Sequence, residues 1–411
     1  MKLTHPAYTM AGPACYVGAL ASDKTNFTID LSPSRMFELV KQAQLPAHEE
    51  YPGLGESLGI DLHTLQSMKD HWISSFDWAH EQTTLNEYHH YTATIENLKV
   101  HFIHEHSSEP SAIPLILIHG WPGSFAELVP LIHPLTTAAK TSKGAPVSFD
   151  VVIPSLPGYM FSSAPPANWT LDDTARIYNT LMTEVLGYKT YAVHGTDWGS
   201  NIAYSMYDKF STTVRAAHLL GIPFFPLSPD QLSDRNITLD ENEQFQEDLV
   251  LKFQATGAGY QMEQSTKPNT IGLALYDNPV GQLAWIGEKY IEWSDPRALK
   301  TPPSVLTYNH IILEVSLYYL TKSFVSSVFT YAQNAAAFKA NYTKARTDAP
   351  MLFSSFKYNF GFWTKEVISW VGNLVLYNFH DFGGHFPALE NPSDLTGDIR
   401  EIADYWSSDS S

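Results

Sequence analysis

Tyr191–Ser200, YAVHGTDWGS, is the stretch on which the reading of this chain turns. Thr190, Tyr191 and Val193 form a short β-branched and aromatic run of the kind buried in a sheet. The run stops at Gly195-Thr196-Asp197-Trp198-Gly199, after which Ile202, Ala203, Met206 and Phe210 recur at helical spacing. Strand, G-x-D-x-G, helix is the form of a nucleophile elbow, whose glycines let the chain turn sharply and hold the central side chain clear of the sheet. Here that side chain is a carboxylate, Asp197. Taken alone, the motif also fits a βα turn whose Asp only caps the following helix. The surrounding chain separates the two.

With 411 residues, 44% of them hydrophobic and 13% aromatic, the chain can bury a large core and is globular, as one large domain with insertions or as two ordinary ones. Its 25 basic residues stand against 43 acidic ones, a net charge of −18 with no basic run, which argues against nucleic acid or an anionic membrane as partner. The single Cys15 excludes an intramolecular disulfide and a Cys-based zinc site. No apolar stretch is long enough to span a membrane. Ala11–Ala21 faintly resembles a signal peptide, and N-x-S/T sequons occur at Asn26, Asn168, Asn236 and Asn341. Pro13 and Tyr16 interrupt that thin apolar region, so the expectation is a cytoplasmic protein, with secretion as the alternative.

Residues 1–105 read as an N-terminal segment without a sheet of its own. Ser32-Pro33 before Arg35–Gln44 predicts a capped helix, and Leu62, Leu65, Met68 and Trp72 share one face of a second. Leu98, Val100 and Phe102 alternate with Lys99 and His101 as a strand; His101, His104 and His106 are read as surface histidines at its end, not as metal ligands. Residues 106–225 are α/β in pattern. Apolar runs at Pro114–Ile118, Asp150–Pro154, Tyr191–His194 and Arg215–Leu220 alternate with helical segments, which implies a doubly wound parallel sheet. From 226 to 335 the pattern is helical, aromatic and proline-rich. Strands resume at Pro350–Phe356 and Asn373–Tyr377 within 336–411. A helical block between sheet strands predicts a cap over the carboxyl ends of those strands, where open α/β sheets bind ligands.

Further pieces fit the elbow. His385 lies in Gly383-Gly384-His385-Phe386-Pro387, beyond the last strand. His119-Gly120-Trp121-Pro122 follows an earlier strand, where a backbone N–H can serve an oxyanion, as can that of Trp198. Tyr260 and Tyr318-Tyr319 fall in the helical insertion.

With HGWPGSF (119–125), PSLPGYMFSSAPP (154–166), GTDWGS (195–200), GYQMEQSTKPNTIG (259–272), AWIGEKY (284–290) and GGHFPALENP (383–392), the chain resembles an epoxide hydrolase of the α/β-hydrolase fold, in the microsomal-like branch that includes soluble fungal enzymes. The resemblance runs from the N-terminal segment, similar to that branch's meander, to near the C-terminus. It implies that Asp197 attacks an epoxide carbon, that Tyr260 and Tyr318 hydrogen-bond the epoxide oxygen, and that His385 activates water against the resulting ester. It further implies Trp121 and Trp198 as oxyanion donors and substrate contacts, a vicinal diol as product, no cofactor, and a homodimer. Trp285 and Tyr276 suggest an apolar pocket and a lipophilic or aryl epoxide, met in detoxification or in a biosynthetic step.

The resemblance departs at the acid that should pair with His385. The aligned residue is Asn359, an amide that can hold an imidazole but cannot stabilise an imidazolium. Another carboxylate could serve, with Asp230 first and Asp381 or Glu366 behind it; Asn359 could support slow turnover; or the protein could be a silent relative that only binds. A haloalkane-type dehalogenase is the enzymatic alternative, because Asp-Trp at an elbow also suits halide displacement.

Overall fold

The computed structural model describes residues 21–53 and 55–406, so Cys15 and most of Ala11–Ala21 lie outside the described residues. In chain order the strands are Thr25–Asn26 (β1), His90–Ile95 (β2), Leu98–Glu105 (β3), Ile113–Ile118 (β4), Ala139–Lys140 (β5), Pro146–Val147 (β6), Phe149–Pro154 (β7), Tyr191–Gly195 (β8), Val214–Leu219 (β9), Pro350–Phe356 (β10) and Asn373–His380 (β11). Nine of them make one sheet in the order β1-β2-β3-β7-β4-β8-β9-β10-β11, with β5 and β6 forming a separate hairpin. Pairing from β7 through β11 is parallel throughout, and β1, β2 and β3 continue the sheet antiparallel at one edge. The continuously apolar runs Leu115–Ile118 and Tyr191–Val193 are buried on both faces, as a sheet covered on both sides requires. This is the α/β-hydrolase fold.

Some local expectations change. The first helix begins at Ser34, but Pro33, which has no polar side-chain atom, occupies its N-cap, and the Ser32 hydroxyl pairs with that of Ser34 at 3.4 Å. The second, Leu62–Ser74, is capped by Asp61, whose carboxylate accepts from the Thr64 N–H. His101 and His104 are not surface residues: β3 lies inside the sheet between β2 and β7, and His101 is fully buried between His90 Nδ1 at 2.9 Å and Ser155 Oγ at 2.8 Å. Burial accordingly depresses the pKa of His101.

Between β9 and β10 the chain forms helices from Pro229–Asp234 to Phe324–Gln333. The N-terminal segment straps these helices down. His71 Nε2 meets Asn309 Oδ1 at 2.7 Å, Arg35 pairs with Asp277, and the Tyr319 hydroxyl donates to Asp277 Oδ1 at 2.8 Å. Among the described residues no single helix is long and apolar enough to cross a membrane. The one bent pair that passes by composition, Tyr308–Thr321 with Phe324–Gln333, turns by 93° and has mostly buried apolar side chains.

Candidate active site

The turn after β8 puts Asp197 at φ +49°, ψ −127°, a conformation that costs a non-glycine residue of order 1–3 kcal/mol and clusters at functional sites. Tight packing forces this turn. A Cβ on Gly195 would come 2.2 Å from the Gly199 carbonyl oxygen, and one on Gly199 would come 2.0 Å from that of Ile118. Across from the elbow, a Cβ on Gly120 would lie 2.1 Å from Asp197 Oδ1, so the loop after β4 can close on the carboxylate only with glycine there. That closure brings the Trp121 N–H to Asp197 Oδ1 at 2.8 Å.

His385, in the loop after β11, sets Nε2 3.6 Å from Asp197 Oδ2. Its Nδ1 lies 3.0 Å from Asn359 Oδ1 in the loop after β10. An amide oxygen only accepts, so Nδ1 carries the proton and Nε2 presents its lone pair toward Asp197. This tautomer suits a base, and it places Asn359 in the acid's position without the acid's charge. The imidazole is held between Phe360, stacked at 4.6 Å, and the edge of Trp293 at 5.1 Å. None of the three alternative carboxylates reaches it. Asp230 and Glu366 are exposed in the first turns of surface helices, and Asp381 is 61% exposed and ion-paired with Lys357 and Arg297.

Tyr260 faces the elbow, its ring stacked on Trp121 at 5.3 Å and 10°. The second tyrosine at the cavity is Tyr331, not Tyr318. The Tyr331 ring centroid lies 5.6 Å from that of Tyr260 at 82°. Burial, aided by the Asp197 charge, raises both phenols well above their ordinary pKa, so both remain protonated donors. Tyr318 instead donates to the Gly123 carbonyl oxygen at 2.9 Å, fully buried and off the cavity; its neighbour Tyr319 serves the Asp277 contact. One signal for Tyr331 was available. With Phe324, Ser327 and Val328 it completes an i, i+3, i+4, i+7 buried face, although core aromatics share that pattern.

Asp197, Trp198, Tyr260, Tyr331, Asn359 and His385 line one cavity of about 210 Å³. Its remaining wall is mostly apolar, including Leu220, Ile222, Phe253, Phe338 and Trp363. The Trp121 ring is buried behind Tyr260 and does not line the cavity, so this residue offers its N–H and not a side-chain contact. Trp285 and Tyr276 are also absent from the wall: the Trp285 indole donates to Gln264 Oε1 at 2.9 Å, and Tyr276 is an exposed surface residue. Among the described residues no group of three His, Cys, Asp or Glu side chains is placed to hold a metal ion.

A mixed, mainly parallel sheet with a strained carboxylate at its central elbow and a histidine beyond its last strand defines an α/β-hydrolase. A family model for the epoxide hydrolase N terminus matches residues 25–128, and one for the alpha/beta hydrolase fold matches 113–277. Epoxide hydrolase 1 of Sus scrofa is 31% identical over 378 residues, covering 84% of this chain and 80% of its own length. Juvenile hormone epoxide hydrolase 1 of Ctenocephalides felis is 32% identical over 373 residues, covering 84% and 78%. The structure of Aspergillus niger epoxide hydrolase superimposes with a TM-score of 0.79 at 32% identity, covering 95% of this chain and 98% of that one. The chain belongs to the epoxide hydrolase family and is a hydrolase.

Proposed function

We propose that the protein hydrolyses a lipophilic epoxide to a vicinal diol through an alkyl ester on Asp197. One observation carries this reading: a single apolar cavity sets the Asp197 carboxylate opposite two protonated tyrosine hydroxyls, with an imidazole Nε2 3.6 Å from its free oxygen. Asp197 attacks one epoxide carbon, the carbon–oxygen bond breaks, and the departing alkoxide is met by Tyr260 and Tyr331, one of which protonates it. Water then attacks the ester carbonyl while His385 Nε2 takes its proton. The Trp121 N–H, with that of Trp198, stabilises the oxyanion until it collapses and breaks the bond from the Asp197 carbonyl carbon to the diol oxygen. That oxygen leaves as a hydroxyl with the proton of the added oxygen, while the proton on His385 returns to the tyrosinate and the Asp197 carboxylate is restored. The helices 229–333 act as the cap that supplies the tyrosines and excludes bulk water.

Asn359 divides the two halves of this cycle. Alkylation needs the carboxylate and the tyrosines, whereas hydrolysis builds positive charge on His385, and a neutral amide does little to stabilise it. Capture is therefore faster than release. Rapid quench with labelled styrene oxide tests both points: an ester on Asp197 should accumulate before diol appears. An equal trial with a haloalkane should yield no halide. Absence of diol across a broad epoxide panel, or halide release instead, would overturn the reading.

A further inference from the structure

Among the described residues the His385 ring makes one hydrogen bond, donated from Nδ1 to a neutral amide oxygen, so what aims it must be sought in its backbone. The loop Gly383–Phe386 is fastened at three points, two direct hydrogen bonds and one carboxyl bridge, to the chain that ends the cap helix Pro279–Glu292. The His385 N–H donates to the Trp293 carbonyl oxygen at 2.9 Å, and a Cβ on Gly384 would come 2.5 Å from that same oxygen. The Gly383 N–H donates to Asp295 Oδ2 at 3.0 Å. Glu390, fully buried, spans the junction: Oε1 accepts the Phe386 N–H at 2.8 Å and Oε2 accepts the Asp295 N–H at 2.6 Å.

The bifunctional geometry requires a carboxyl group. Each oxygen serves one side of the seam, the catalytic loop on one and the cap on the other, and an amide has only one oxygen to give. We propose that Glu390 is a positioning residue for the water-activating step, locking the His385 loop to the end of the cap helix, with Asp295 completing the brace. This rests on the reading that His385 activates water against an ester on Asp197. The brace takes over the aiming that a charged partner on Nδ1 would otherwise share. It acts on the second half-reaction alone, because His385 takes no part in alkylation.

The test is single-turnover rapid quench with styrene oxide, following the Asp197 adduct by mass spectrometry in wild type, Glu390→Gln, Glu390→Ala and Asp295→Asn. The expected result is alkylation close to the wild-type rate, with ester hydrolysis slowed about tenfold in Glu390→Gln and about a hundredfold in Glu390→Ala, the loss typical of a misplaced catalytic group. Equal slowing of both half-reactions, or unchanged hydrolysis, would overturn the proposal. Should the Glu390 variants not fold, the same comparison on Asp295→Asn decides it. If neither wild type nor His385→Gln ever carries an adduct on Asp197, the reading of the site fails and the brace with it. Adduct in wild type with unaltered Glu390 variants removes the brace alone.

Discussion

At the scale of single residues, the contact between Asn359 Oδ1 and His385 Nδ1 is the most consequential departure from the expected constellation. Asn359→Asp should speed ester hydrolysis about ten- to a hundredfold, since a hydrogen bond to a charged group contributes about 1.5–3 kcal/mol and each 1.4 kcal/mol is a factor of ten. Steady-state diol release and the decay of the adduct both report it. Tyr260→Phe and Tyr331→Phe should each slow alkylation by about a hundredfold. Tyr318→Phe should leave alkylation near wild type and instead lower stability by about 1–3 kcal/mol, the cost of stranding the Gly123 carbonyl. Stopped-flow alkylation alongside urea unfolding separates the three. Asp197, His385 and Tyr260 were legible because each sits in a short, distinctive motif. Tyr331 was not, because its helix FVSSVFTYAQ carries only the periodicity of any buried helix, and the doublet Tyr318-Tyr319 drew attention away from it.

At the scale of elements, the elbow depends on backbone approaches that tolerate no side chain. Gly199→Ala would press a methyl group to 2.0 Å from the Ile118 carbonyl, so it should cost about 3 kcal/mol or more, read as a lowered unfolding midpoint. A second element-level feature lies at β11, where His380 Nε2 meets Asp398 Oδ2 at 2.6 Å. Burial works against the charged form of each partner, but their mutual bond and charge prevail, with Asp394 adding to the pull on His380: its pKa rises above 6.5 and that of Asp398 falls below 3.8. The stability due to His380 is complete below 6.5 and lost as pH rises through its raised value. That due to Asp398 is present above 3.8 and lost as pH falls through its depressed value. His380→Ala should therefore destabilise by roughly 1.5–3 kcal/mol at pH 5 and by less at pH 9. A difference independent of pH would refute the ion pair. The apolar strands β4, β8 and β10 announce themselves in sequence. β2 does not, because HYTATI mixes polar and apolar residues on a half-covered edge, and its concealment is why His101 read as exposed.

At the scale of the whole molecule, the helical block could be placed from the sequence because the strand pattern simply stops near 226 and resumes at 350. How that block is held could not be read, since the contacts join residues some 240 positions apart, such as His71 with Asn309 and Arg35 with Asp277. Removing both ties, in His71→Ala with Arg35→Ala, should speed hydrogen exchange in the helix Tyr308–Thr321 by about tenfold while leaving β4 and β8 unchanged, because local opening follows local contacts. Uniform acceleration would show instead that cap and sheet open together.

On the proposed cycle, the amide beside His385 also changes what such a protein accomplishes when epoxide is scarce. A catalyst that is loaded quickly and discharged slowly behaves as a stoichiometric sink whenever its concentration exceeds that of the reactive compound. Each chain then removes one electrophile at the speed of capture, and the protection gained follows the amount of protein made and not its turnover number. One atom, nitrogen in place of oxygen on residue 359, separates a sponge from an engine.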